Sequence, residues 1–285
     1  MENDADLKIY RKRKWREKFF LAAVFISAIT VTLPLIAILL YVLIQGIGAV
    51  NLDFFTQLPV PAGEAGGGMA NAIVGSFIIV AIACAIGLPI GILAGLWLAE
   101  YGKGGKGFLV RYANDVLSGI PSIVIGIFVY TILVLTLRRF SAIAGSVALA
   151  IILIPTVTKT TEEIVLMVPN SLREAALALG LPKWKVTLQV VFKTAWNGIF
   201  TGIMLAVARI VGETAPLLFT SFNNQFWSFA VDQPMASMTV QIFNYSISPF
   251  ADWHSKAWAG SLVLVTTILA ITLLVRKFSK RIYYA

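Results

Sequence analysis

With 58% hydrophobic and 13% charged residues in a chain of 285, against about 25% charged in an ordinary soluble domain, no water-soluble fold could hide the apolar surface. The net charge of +9 does not indicate nucleic acid, because the basic residues flank apolar runs instead of forming a continuous face interleaved with aromatics. One cysteine and one histidine exclude a disulfide framework, a thiolate metal site and a histidine-based triad. No cofactor is expected on the chain itself.

The apolar residues come in long runs separated by short polar segments, which is a membrane pattern. A basic cytoplasmic N-terminus, residues 1–18, is expected to precede one all-α membrane domain, residues 19–285. Lys8, Arg11, Lys12, Arg13, Lys14, Arg16 and Lys18 imitate the start of a signal peptide, but the following run is too long and no small-residue cleavage site ends it. Six segments reach, or nearly reach, the roughly 20 helical residues that cross a hydrocarbon core. They are residues 19–44, 70–99, 116–137, 142–157, 198–219 and 258–275.

Between the first two, residues 63–68 are glycine-rich and read as a flexible external turn. In the second, Gly87, Gly91 and Gly95 recur every four residues, so they share a face and admit another helix closely. Cys84 reads as a small buried residue in the same run. Gly102, Gly104 and Gly107 match G-x-G-x-x-G, but they follow a membrane helix and not a strand, so the dinucleotide reading is rejected. The fourth segment is the weakest, since Pro155 and the polar run 156–163 interrupt it. A broken helix is expected there, facing protein or water. Pro34, Pro89, Pro121 and Pro216 also fall inside or at the ends of spans, where kinks suit a protein that changes shape.

Nineteen of the 23 lysines and arginines fall on one side of this arrangement, and positive residues are retained in the cytoplasm. Both termini are therefore expected there. The loop 220–257 is then external, and Trp227, Trp253 and, at its edge, Trp258 read as an interfacial belt or as a docking surface. Arg138, Arg139 and Lys256 could steer an anion or a partner at the outer mouth, or be ordinary interfacial charge. His254 is expected to be solvated. Nothing fits G-x-x-x-x-G-K-[ST], so no ATP-cradling loop is encoded and the chain cannot fuel itself.

Two constellations carry information. On the cytoplasmic side Ser171 followed by Glu174 reads as a capping box. The alanine- and leucine-rich run 175–179 favours helix, Gly180 suits its left-handed end, and Pro182 suits the first turn of the next helix. Two short helices joined by a sharp turn are expected outside the membrane, as a knob for a cleft in another protein or as an amphipathic pair on the lipid surface. In the fifth segment Arg209 and Glu213 stand four apart, so one helix face could pair them. A charge at mid-membrane costs about 2.5–3.5 kcal/mol on insertion scales, and such residues usually face the bundle interior. Arg209 and Glu213 therefore mark either a substrate pathway or a purely structural pair.

Glu174-Ala175-Ala176 with Gly180 four residues on resembles the E-A-A-x-x-x-G loop of ABC importer permeases, the element that docks into the ATPase. That motif usually ends I-x-L-P; here Val190 and Phe192 hold its hydrophobic positions and Lys193 replaces proline. The stretch from Ala208 to Pro216, with Leu217-Leu218-Phe219-Thr220 and Asn224-Gln225-Phe226-Trp227 beyond it, closely resembles the phosphate permease subunits of these importers. The resemblance implies a type I ABC importer permease with six transmembrane helices and a cytoplasmic coupling helix within about residues 169–195. Arg173, Glu174, Ala175, Ala176, Gly180 and Pro182 would be its ATPase-coupling residues, and Arg209, Glu213 and Thr214 would lie on the substrate pathway. The implied partners are an ATPase dimer carrying ATP and Mg, a second permease, an external phosphate-binding protein and phosphate itself as substrate, in a bacterial inner membrane. Rival readings are a permease for sulfate, molybdate or tungstate, a proton-coupled secondary transporter, and a non-transporting membrane scaffold or sensor.

Overall fold

A computed structural model describes residues 2–64 and 66–282. Ala65, in the turn expected at 63–68, lies outside the described residues, as do the side chains of Lys8, Arg276, Lys280 and Arg281. In chain order the helices are α1 (Glu2–Gly46), α2 (Leu52–Thr56), α3 (Ala70–Tyr101), α4 (Gly105–Gly119), α5 (Ser122–Leu137), α6 (Ala142–Leu166) and α7 (Asn170–Ala178). They continue with α8 (Lys183–Val211), α9 (Ala215–Thr220), α10 (Met238–Ser246) and α11 (Ala251–Ile282), and no strand occurs among the described residues. Within these residues α1, α3, α6, α8 and α11 are long and apolar enough to cross a membrane, and α4 with α5 make a sixth span if the bent pair is counted as one.

The centre of the bundle is α6. Gly87, Gly91 and Gly95 of α3 press on Leu153, Val157 and Thr161, which recur every four residues along α6. A Cβ at Gly91 would lie 2.8 Å from Val157 Cβ, and one at Gly95 would lie 2.6 Å from Thr161 Cβ. On its other side α6 meets α8, where Gly198 and Gly202 accept Ile164 and Thr160. In lipid such close approach is what holds helices together.

Four expected boundaries change. The fourth span is not broken at Pro155: α6 runs unbroken for 25 residues. Pro155 is buried, the Asn114 side chain of α4 donates to its carbonyl at 3.1 Å, and of the polar run Thr158 and Thr161 are packed inward, 1% exposed, while Lys159 and Glu163 are exposed. The third span is instead two helices meeting at 100°, because Pro121 drives Ile120 out of the helical region (ψ 129°). The fifth stops at Val211, and α9 begins at Ala215 after three intervening residues. The sixth begins at Ala251, and the expected external loop contains α10, whose first turn is capped by the Ser237 hydroxyl.

At the sequence edges, Tyr41 of α1 meets Trp258 of α11 edge to face at 5.2 Å. Trp253 packs on Tyr245 and Phe250, which leaves Trp227, stacked on Phe229, as the most exposed of the three tryptophans. Replacement of Gly91 by valine is expected to cost about 1–3 kcal/mol, the range for overpacking, read as a lower melting temperature in detergent. Gly48→Val, where a side chain meets nothing within 4 Å, is the matched control and should melt as the parent does.

Candidate functional site

The elbow is α7 with the turn that follows it. Pro169 holds non-helical backbone (ψ 140°), so helix starts at once at Asn170, and no side chain caps it. Ser171 already lies in the first turn, and the expected capping box with Glu174 does not form. At the other end Gly180 takes φ +80°. Its N–H donates to the Leu177 carbonyl at 2.9 Å, and the Leu181 N–H donates to the Ala176 carbonyl at 3.4 Å. These two bonds close the helix in a Schellman turn. Pro182 is extended and immediately precedes α8. The expected second short helix is the first turn of α8 itself, which continues through a π-turn at Val186–Val191. Lys193, standing where the motif has proline, keeps its N–H, so the helix is not broken there.

Glu174, Ala175, Gly180 and Pro182 are exposed, whereas Ala176 is buried against the bundle. Leu179 is 84% exposed and Trp184 56% exposed, adding an apolar tip. Arg173 points the other way. Its guanidinium pairs with Glu100 Oε1 of α3 at 2.9 Å and donates to the carbonyls of Val165 and Val168.

Arg209 lies in the last turn of α8 and is exposed; Glu213 and Thr214 lie beyond it, in the break before α9. The two charges do not share a helix face, and no ion pair joins them among the described residues, because the helix that would align them ends at Gly212. The Glu213 carbonyl instead accepts from the Thr239 hydroxyl at 2.9 Å, and the Thr214 carbonyl accepts from the amides of Leu217 and Leu218. Depth follows from packing. Gly202 sits on Thr160, and seven residues further, about 10 Å along the axis, Arg209 comes level with the middle of α6. Irregular backbone at such depth is tolerated only where it is buried in protein or lines a water-filled cavity. At the far end from the elbow, Arg139 pairs with Asp232 at 3.0 Å and Lys256 donates to the Gly66 carbonyl. His254 Nε2 lies 2.6 Å from the Ser248 carbonyl.

The family model for the inner membrane component of binding-protein-dependent transport systems matches residues 87–284. The chain belongs to that family. It is 46% identical to the phosphate transport system permease protein PstA of Yersinia pestis, over 97% of this chain and 96% of that one. The Haemophilus influenzae PstA is 45% identical with 98% of both chains covered, and the Mycobacterium leprae PstA is 35% identical over 87% of this chain and 84% of its own. In fold the chain is similar to a bacterial alginate ABC transporter (TM-score 0.61, 16% identity, 95% and 96% covered). It is also similar to the inward-facing MetNI methionine ABC transporter (TM-score 0.57, 16% identity, 75% and 93% covered). It is a multi-pass inner-membrane permease of the type I importer fold, a transport component and not an enzyme.

Within this permease the residues missed by sequence reasoning are Glu100, Arg111 and Glu162, whose side chains meet those of distant segments. The signal was present, since acids at the ends of apolar runs demand partners, but the partner's identity was not. Among the described residues no three His, Cys, Asp or Glu side chains gather as a metal would require. A Cβ at Gly180 would touch nothing within 4 Å, so Gly180→Ala isolates the left-handed backbone cost of about 1–2 kcal/mol. Faster hydrogen exchange at the Leu181 amide, with helix content unchanged, is the expected readout.

Proposed function

We propose that the chain is the membrane-spanning subunit of an ATP-driven importer of inorganic phosphate, forming half of an alternating-access pathway across a bacterial inner membrane. The observation that carries phosphate is the 46% identity to a phosphate permease over nearly the whole of both chains. In this reading the elbow end is cytoplasmic and so are both termini, in keeping with the side on which most lysines and arginines lie. An ATPase dimer of the PstB kind, binding ATP and Mg, grips the exposed tip formed by Glu174, Ala175, Leu179 and Gly180. A PstC-like permease completes the pathway, and a PstS-like binding protein delivers phosphate to the opposite face.

Closure of the ATPase dimer then moves the elbow, and the helices respond by opening outward. Arg209, exposed at mid-depth, offers a fixed fork of donors that matches phosphate oxygens. Glu213, displaced past the helix end, keeps negative charge close enough to prevent tight retention, because conduction needs weak binding as well as binding. Thr214, in the same break, belongs to the stretch whose backbone can change direction.

Cells lacking the chain should recover uptake of labelled phosphate when it is restored, with excess arsenate blocking and sulfate or molybdate without effect. Block by sulfate or molybdate would overturn the substrate. Arg209→Gln should lower uptake about 10- to 100-fold, the worth of one charge-assisted contact, with the assembled importer still present in the membrane. Unchanged uptake would remove Arg209 from the pathway.

A further inference from the structure

We infer that Glu100 is a positioning residue for coupling: with Arg173 it forms the tie through which movement of the elbow reaches the helix bundle. The inference rests on the importer reading above and assigns a role to side chains turned toward the bundle, away from the exposed tip of the elbow.

The argument begins at the cytoplasmic ends of α3 and α6. A helix end leaves four carbonyls without intrahelical partners, and cations close to it are favoured. Arg111 of α4 donates to the carbonyls of Leu98 and Gly102 at 3.1 and 2.9 Å, closing the end of α3. The same guanidinium holds Glu162 of α6 at 2.6 Å. Arg173 of α7 closes the end of α6 through the Val165 and Val168 carbonyls and holds Glu100 of α3. Lys183, at the start of α8, donates to the Glu100 carbonyl at 3.3 Å and lies 4.4 Å over the Tyr101 ring. The ends of the two central helices are thus cross-tied: the acid of one helix and the carbonyls of the other share a cation.

The Arg173–Glu100 tie differs from the chain's surface pairs, and from the companion tie, whose Arg111 side chain is 40% exposed. The side chains of Arg173 and Glu100 are 15% and 7% exposed, whereas those of Lys159 and Asp115 are 58% and 63% exposed at 3.4 Å. An exposed pair is loosened by water and salt; a nearly buried one with its remaining donors satisfied holds one geometry. The elbow needs such a hold. Of the α7 side chains only Ala176 is buried, and Arg173 is the long one turned inward. A force applied at Leu179 or Glu174 would otherwise rotate α7 about its flanking turns. With Glu100 seated on Arg173, the same force displaces α3, which lies along α6 through the glycine stripe.

The test uses the complete importer reconstituted in phosphate-gradient proteoliposomes with its ATPase, second permease and binding protein, scoring phosphate moved per ATP hydrolysed. Glu100→Gln is expected to lower that ratio at least about tenfold, the order of effect of one lost charge-assisted contact, while hydrolysis continues. Arg173→Gln should do the same, and the double variant should be no worse than either single one, because each acts through the other. An unchanged ratio in Glu100→Gln, or losses that multiply in the double variant, overturns the inference. Equal loss of hydrolysis and uptake also overturns it, since a merely structural role does that. If Glu100→Gln does not assemble, Arg173→Lys, which keeps the charge but loses the fork that joins Glu100 to the two carbonyls, is expected to lower the ratio likewise, and an unchanged ratio there is equally fatal. A parent importer that moves no phosphate would instead refute the importer reading; coupled transport sensitive at Gly180 but not at Glu100 would refute only the tie.

Discussion

Inside a bilayer, helices gain little from the hydrophobic effect against each other, because lipid tails are as apolar as leucine. What remains is close packing, and here it depends on the missing Cβ atoms of Gly87, Gly91 and Gly95 against α6, with Gly198 and Gly202 on its other flank. That packing brings the ends of α3 and α6 within reach of shared cations and buries Thr158 and Thr161 of the polar run.

Pro155 does not interrupt the central helix. A proline in a lone helix removes a backbone bond and clashes with the preceding turn. Within α6 it is buried, Asn114 of α4 reaches its carbonyl, and the helix continues. Irregularity appears elsewhere: at Pro121, where α4 and α5 diverge, and at Gly212–Thr214, beside the exposed Arg209. An unbroken central helix is thus flanked by bent or interrupted ones.

At the elbow, exposed and buried chemistry divide the work. The outward residues Glu174, Ala175 and Leu179 form a small knob, and the inward Arg173 joins it to the bundle. A buried ion pair contributes modestly to stability relative to apolar packing, yet breaking one partner is costly. Such a pair therefore serves geometry more than stability, as the proposed coupling role requires.

Much of this was legible in the amino-acid sequence. Long apolar runs dictated a multi-pass helical membrane protein, the Glu174–Gly180 spacing marked the elbow, and Gly180 was readable as its left-handed end because a single residue's backbone freedom is a local property. The glycine stripe announced close packing but not its partner. The capping box at Ser171 and the pairing of Arg209 with Glu213 were wrong for one reason: both assumed helix phase from spacing, and Pro169 and Gly212 moved the helix boundaries. Glu100 with Arg173 and Arg111 with Glu162 are 73 and 51 residues apart. Periodicity records which face a residue occupies on its own helix, and only the packing of α3 against α6 decides which charges those faces bring together.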